Sequence, residues 1–129
     1  CTGGYISHLL TNISGSSDIY LGGWNVYTNL FKTNQLNIDE VTIREHTAVS
    51  VECVHELLQK ALDKTGANYG IGVVGYLEKY EENKPHAYIA YGSIEDIRTK
   101  RIDLFHPRVK AKEAIARVAL VSLYKEFLN

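Results

Sequence analysis

The sequence lacks several features that mark particular classes of protein. Its 14 basic and 15 acidic residues leave a net charge of −1, so bulk electrostatic attraction to nucleic acid or to an anionic membrane is not expected. No apolar run approaches the length of a membrane span, and the first residues lack the charged and apolar regions of a signal peptide. There are only two cysteines, Cys1 and Cys53, and neither belongs to a CxxC or Cys/His cluster. A cytoplasmic protein with free thiols and no bound metal is the simplest interpretation, with one disulfide left open.

The remaining composition suits one globular domain. The 129 residues are 45% apolar and 22% charged, which is an ordinary balance for a chain that buries a single core. No repeat, low-complexity tract or linker divides the chain, so we expect a single domain over residues 1–129. The opening Cys1-Thr2-Gly3-Gly4 is typical of a loop inside a domain, and we therefore expect further residues upstream of Cys1.

Hydrophobic periodicity predicts an α/β fold. The clearest helix follows Ser50, a good N-cap, and carries an apolar stripe up to Gly66, a typical C-terminal residue. Further helices are expected over residues 4–12, from residue 29, over 39–44 and over 109–128; strands are expected over 19–27, 69–76, 86–91 and within 97–105. This order favours helices on both sides of a mixed sheet.

Three segments could carry chemistry. The Ser14–Ser17 turn could present a nucleophile beside free backbone N–H groups, although a plain connecting loop has the same composition. Tyr27 and Lys32 could activate a hydroxyl if the pKa of the lysine is lowered, although most such pairs are a packed ring and a solvated ammonium. Thr2–Gly4 begins a helix, where N–H groups favour an anion or simply form a cap.

Arg108 stands at the start of the last helix, where the helix dipole disfavours a cation. Its position indicates either a negatively charged ligand or partner, or an ordinary surface salt bridge. The five histidines have no metal-ligand spacing, so no metal site is predicted.

Five short motifs occur in order: Cys1-Thr2-Gly3-Gly4, Ser14-Gly15-Ser16-Ser17, Gly23 through Val26-Tyr27-Thr28-Asn29 to Lys32, His46-Thr47-Ala48-Val49-Ser50, and Lys84-Pro85. Together they resemble the CinA C-terminal family, the PncC-type nicotinamide-nucleotide amidohydrolases or NMN deamidases, over most of the chain. Arg108 falls where that family has the arginine of its GDR segment.

The resemblance implies a three-layer α/β/α domain with a mixed sheet, whose first strand and helix precede Cys1. It also implies hydrolysis of nicotinamide mononucleotide to nicotinate mononucleotide and ammonia, without metal or cofactor, in a homodimer or larger homo-oligomer. Ser17 then matches the nucleophile, and Tyr27 and Lys32 match the residues that activate it. The residues that match substrate-binding positions are Thr2, Gly3, Ser16, Gly75 and Arg108.

One segment departs from the family pattern. Val74 through Lys79 stands where the family has a T-G-I-A-G-P glycine loop, and only Gly75 is retained. The family hydroxyl is lost at Val74, and a site group left without its partner would cost about 1–3 kcal/mol. Bulky residues in place of glycine also prevent close backbone approach to a ligand. Two alternatives therefore stay open: a domain that binds a nucleotide or protein without turnover, and an amidase for another small amide.

Overall fold

The computed structural model describes all of residues 1–129 and consists of five α-helices and three β-strands. A single turn of 3₁₀ helix, Ser16–Asp18, follows the first helix, and a π-helical turn, Tyr124–Leu128, follows the last. The elements are α1 (Tyr5–Thr11), α2 (Asn29–Leu36), α3 (Glu40–His46), α4 (Val51–Thr65), β1 (Gly70–Tyr76), β2 (His86–Ser93), β3 (Asp96–Asp103) and α5 (Arg108–Leu123). None of the helices combines the length and the apolar character needed to cross a membrane.

The sheet has the order β1-β2-β3, and helices cover both of its faces. Alternate residues of β2 divide its side chains between two cores, as expected for a strand buried on both sides. Ala90 belongs to the core that α4 covers, whereas Ile89 and Tyr91 belong to the core that α5 covers. The domain is therefore a three-layer α/β/α structure, as the sequence predicts.

The prediction of a strand over residues 19–27 is wrong, because that segment is irregular and pairs with no strand. Its alternating apolar residues do not line a sheet. Trp24 and Val26 pack against the core beneath α4, whereas Ile19 and Leu21 are exposed. A strand also needs a neighbouring strand to satisfy its backbone hydrogen bonds, so apolar alternation alone is not sufficient to predict one.

Within residues 1–129 the sheet is antiparallel rather than mixed. β1 pairs with β2 and β2 with β3 in antiparallel registers, for example Val74 opposite Tyr88 and Ala90 opposite Thr99. Short connections join the successive strands, and such connections produce antiparallel pairs, whereas parallel pairs need long crossovers. Cys1 and Cys53 are both free, which settles the question of a disulfide.

The caps predicted for α4 are confirmed. The Ser50 hydroxyl accepts a hydrogen bond from the backbone N–H of Cys53 at 3.1 Å, and Gly66 ends the helix with a φ of 70°. This cap fixes the first turn of α4 against α2. As a result, the side chain of Cys53 lies beside that of Lys32 in the interior of the domain.

Glu126 attaches the C-terminal π-helical turn to the sheet. Its carboxylate accepts hydrogen bonds from the Tyr91 hydroxyl at 2.7 Å, the Lys100 ammonium at 2.8 Å and the Arg98 guanidinium at 3.1 Å. The bonds from Lys100 and Tyr91, followed by that from Arg98, lower the pKa of Glu126 to about 2. The charged form of this carboxylate is therefore favoured by folding.

We predict that Glu126→Gln weakens the acid dependence of stability. Because folding lowers the pKa of Glu126 from 4.5 to about 2, its contribution is complete above pH 4.5 and is lost as the pH falls toward 2. The variant should melt at a lower temperature than the parent at pH 7, and the difference should shrink across that acid window. Thermal denaturation followed by circular dichroism measures both. Glu95→Gln, in the exposed β2–β3 turn, is the control; an unchanged acid dependence in Glu126→Gln would contradict the assignment.

Candidate active site

Lys32 is the only lysine or arginine whose side chain is buried, with 7% of its surface exposed. It lies on α2, whose N-cap Thr28 accepts a hydrogen bond from the backbone N–H of Phe31 at 3.2 Å. The Lys32 ammonium donates to the backbone carbonyl of Tyr27 at 3.4 Å and forms no ion pair with a carboxylate. Burial lowers the pKa of Lys32, so its amine loses a proton more readily than that of a surface lysine.

Cys53 is an ionisable group of the core that lies near Lys32, but it does not act as a counter-ion. Burial raises the pKa of the Cys53 thiol to about 11, although the nearby Lys32 cation opposes the shift. The thiol therefore stays protonated near neutral pH and leaves the ammonium of Lys32 without a negative partner. This arrangement lowers the pKa of Lys32 and so raises the fraction of its amine that can accept a proton.

Tyr27 contacts Lys32 through its backbone carbonyl and not through its phenol. The side chain is 69% exposed. Its phenol lies near the guanidinium of Arg108 and contributes, after Glu78, to raising the pKa of that arginine. Tyr27 thus connects the buried amine on α2 with the start of α5.

The Ser14–Ser17 turn presents an unbonded hydroxyl and unbonded backbone N–H groups. Gly15 has a φ of 85°, and two hydrogen bonds close the turn, from Ser16 N to Ile13 O at 3.2 Å and from Asp18 N to Gly15 O at 3.1 Å. Ser17 is exposed, and neither its N–H nor its hydroxyl makes a hydrogen bond. The structure therefore joins Tyr27 to Lys32, but forms no hydrogen bond between Ser17 and either residue.

Positive charge is concentrated around the N-terminal turn. The charges of Lys32, Lys112 and Arg108 all lie near enough to the backbone nitrogen of Cys1 to act on it. The Lys112 ammonium also lies 3.5 Å from the position that a Cβ on Gly3 would occupy. Lys112 follows Arg108 by four residues on α5, so both project from the same side of that helix. The site suits a ligand that carries a negative charge.

The other predicted binding residues have structural explanations. The Thr2 carbonyl accepts a hydrogen bond from Tyr5 N at 3.2 Å, and the Ser16 carbonyl accepts from Ile19 N and Tyr20 N. Gly75 pairs with Ala87, and an added Cβ would lie only 2.8 Å from the Cβ of that alanine. Packing between strands is sufficient to require glycine there, and ligand binding by Thr2, Ser16 and Gly75 stays a prediction.

Two cavities lie away from Ser17, Tyr27, Lys32 and Arg108, although Thr2 lines the second of them. One, of about 500 Å³, is a polar groove lined by α3, α4 and β3, and it includes His46, Glu52 and His55. The other, of about 300 Å³, is mainly apolar and extends along the outer edge of β1. Ser17, Tyr27, Lys32 and Arg108 line neither cavity, and no group of three or more His, Cys, Asp or Glu side chains is arranged to hold a metal ion.

The sequence and the structure both match known proteins. The family model of the CinA C-terminal domain matches residues 1–127. This chain belongs to the CinA C-terminal domain family. It is 36% identical to a CinA-like protein of Colwellia psychrerythraea and 33% identical to one of Salinibacter ruber, over 93% and 92% of its own length. It spans only 29% and 30% of those two relatives.

Solved structures share the fold of this CinA domain. The competence damage-inducible protein A of Klebsiella pneumoniae superposes with a TM-score of 0.94 at 27% identity, over all of this chain and 83% of that one. The competence/damage inducible protein CihA of Agrobacterium tumefaciens superposes with a TM-score of 0.90 at 27% identity, over 97% and 79% of the two chains. The predicted fold family is therefore confirmed.

Three neighbours of this CinA site did not emerge from the sequence. Lys112 could have been found from its helical spacing to Arg108, because residues four apart share a helix face. Cys53 could have been found from its place one turn after the Ser50 cap, although its contact with Lys32 depends on tertiary packing. Glu78 carries no local signal, since only the fold brings it to Arg108.

We predict that Lys32→Met makes the domain more stable. Methionine has a similar shape and removes the cost of burying an amine that has no counter-ion, so the melting temperature at pH 7 should rise by roughly 2–6 °C. Because folding lowers the pKa of Lys32, the parent gains stability as the pH rises toward the ordinary lysine value of 10.5, and the difference should then decrease. Scanning calorimetry at pH 7 and pH 10 tests this, with the exposed Lys60→Met as control. A lower melting temperature for Lys32→Met at pH 7 would contradict it.

Proposed function

We propose that this CinA domain hydrolyses the carboxamide of nicotinamide mononucleotide, giving nicotinate mononucleotide and ammonia. The observation that carries the proposal is the buried Lys32, whose amine has a lowered pKa and no counter-ion. Burying an amine without a counter-ion lowers the stability of the fold. An amine with a lowered pKa is also the kind of base that a serine nucleophile requires. The family membership supports the same assignment.

In the proposed reaction, the Ser17 hydroxyl attacks the amide carbon and its proton passes to the neutral amine of Lys32. The backbone carbonyl of Tyr27, which accepts a hydrogen bond from Lys32 at 3.4 Å, holds this amine in place. The tetrahedral intermediate collapses as the carbon–nitrogen bond breaks, and the leaving nitrogen takes the proton from Lys32 to depart as ammonia. A water molecule then attacks the ester on Ser17, which releases the acid and regenerates the hydroxyl.

The unbonded N–H groups of the Ser14–Ser17 turn suit the oxyanion that forms at the amide oxygen. A donor of this kind contributes about 10²–10³-fold to the rate. Ser17 makes no hydrogen bond, and in the proposed reaction its hydroxyl approaches Lys32 as the amide binds. Catalytic hydrogen bonds commonly shorten only in the complex with substrate, so an exposed and unrestrained hydroxyl is compatible with this role.

The positive charges support an anionic substrate. Arg108 and Lys112 lie one helical turn apart at the start of α5, next to the Thr2–Gly3 turn. Together they can bind a phosphate monoester, a group that nicotinamide mononucleotide carries and an unphosphorylated amide does not. We include in the proposal a cytoplasmic location and assembly as a homodimer or larger homo-oligomer, neither of which the fold itself requires.

We predict that Ser17→Ala reduces ammonia release to near background. Removing the nucleophile should lower kcat by at least about 10³-fold, because its attack is the step that the base and the oxyanion donors assist. Ammonia release from nicotinamide mononucleotide by the full chain measures this, with Ser14→Ala as the matched control in the same turn. Activity of Ser17→Ala close to that of the parent would remove serine chemistry.

A second candidate is a CinA domain that binds a nucleotide without turnover, or that acts on another small amide. It is favoured by the segment that replaces the family glycine loop, in which Val74 is buried in the core and Glu78 pairs with Arg108. Thermal-shift titration with nicotinamide mononucleotide beside the ammonia assay distinguishes these cases. Binding without ammonia release supports the second candidate.

A further inference from the structure

Glu78 is bound to the arginine that the proposed function assigns to the substrate. Its Oε1 lies 3.3 Å from Nε of Arg108, and the pair is exposed, with 69% and 45% of the two side chains accessible to solvent. Glu78 makes no hydrogen bond to any other group. Its carboxylate can therefore leave Arg108 without breaking another interaction.

The backbone around Glu78 is well anchored, although the carboxylate itself is free to move. The preceding residue, Leu77, is buried, and the rings of Tyr76 and Tyr80 stack with their centroids 5.3 Å apart. Two backbone hydrogen bonds, from Tyr80 N to Asn83 O at 3.1 Å and from Asn83 N to Tyr80 O at 2.8 Å, close the turn. The segment thus keeps Glu78 opposite Arg108.

Among Lys32, Lys112 and Arg108, only Arg108 forms a salt bridge with a carboxylate. A phosphate that approaches these cations must either displace the Glu78 carboxylate from Arg108 or bind close to it, where the two negative charges repel each other. An uncharged ligand meets neither cost. The identity of residue 78 therefore affects anionic ligands and leaves neutral ones unaffected.

We propose that Glu78 is a specificity-determining residue, which competes with the phosphate of the substrate for Arg108 and so reduces the preference of the site for phosphorylated amides. The inference rests on the proposed function, in which Arg108 receives that phosphate. An exposed ion pair contributes about 0.2–1 kcal/mol, so removing the competition should tighten phosphate-bearing ligands by about 1.5- to 5-fold.

The test compares two ligands that differ only in the phosphate. Calorimetric titration measures the Kd of nicotinamide mononucleotide and of nicotinamide riboside for the parent, Glu78→Gln and Glu82→Gln, each carrying Ser17→Ala so that the ligand is not hydrolysed during the titration. Glu82→Gln removes the same charge from the same exposed turn, but Glu82 does not pair with Arg108. We expect Glu78→Gln to lower the Kd of the mononucleotide about 1.5- to 5-fold more than the control does, with no gain for the riboside, which lacks the phosphate and carries a positive pyridinium ring.

A further variant isolates Arg108. In an Arg108→Gln background, Glu78→Gln should no longer improve binding of the mononucleotide, because the guanidinium for which Glu78 and the phosphate compete is absent. Equal effects of Glu78→Gln and Glu82→Gln, an equal gain for the riboside, or no binding of the mononucleotide to parent and variant would each overturn the inference. The ammonia assay is independent of these titrations: binding that follows the expected pattern without ammonia release overturns the proposed function alone.

Discussion

The proposed chemistry depends on one destabilising feature of the fold, the burial of the Lys32 amine between α2 and α4. Its neighbour in the core, the Cys53 thiol, stays protonated because burial raises its pKa, so the ammonium has no anion beside it. Only the Tyr27 carbonyl, at 3.4 Å, accepts a hydrogen bond from it. Groups with a perturbed pKa cluster at functional sites, and base catalysis is the role that we propose for this amine.

Two helix starts position the other charged and titratable groups around that amine. The Ser50 cap fixes the start of α4 and hence the position of Cys53, while the start of α5 supplies Arg108 and Lys112 beside the N-terminal turn. The site is therefore basic although the whole chain carries a net charge of −1. Glu78 moderates this local charge. Residues 74–79, which depart most from the family pattern, thus add a carboxylate beside Arg108. Ser17, Tyr27 and Lys32, the residues proposed for the chemistry, lie outside this segment.

The sequence predicted those parts of the fold that local signals determine. The cap at Ser50, the apolar stripe behind it and Gly66 define α4 almost to the residue, and β1 and β2 followed from short apolar runs. Residues 19–27 were predicted wrongly because the apolar alternation that lets Trp24 and Val26 cover a core also occurs in strands. Tyr27, Lys32 and Arg108 were found from their motifs. Glu78 and Cys53 were not, since tertiary packing alone brings them to the site.

The central claim is that Lys32 is an amine with a depressed pKa inside the folded domain. Carbon-13 NMR titration of the lysine side chains measures it directly, with the Lys32 resonance assigned by its loss in a Lys32 variant. The account predicts that the Lys32 resonance titrates at a lower pH than the resonances of the other lysines. A Lys32 resonance that titrates together with those of the exposed lysines would contradict it.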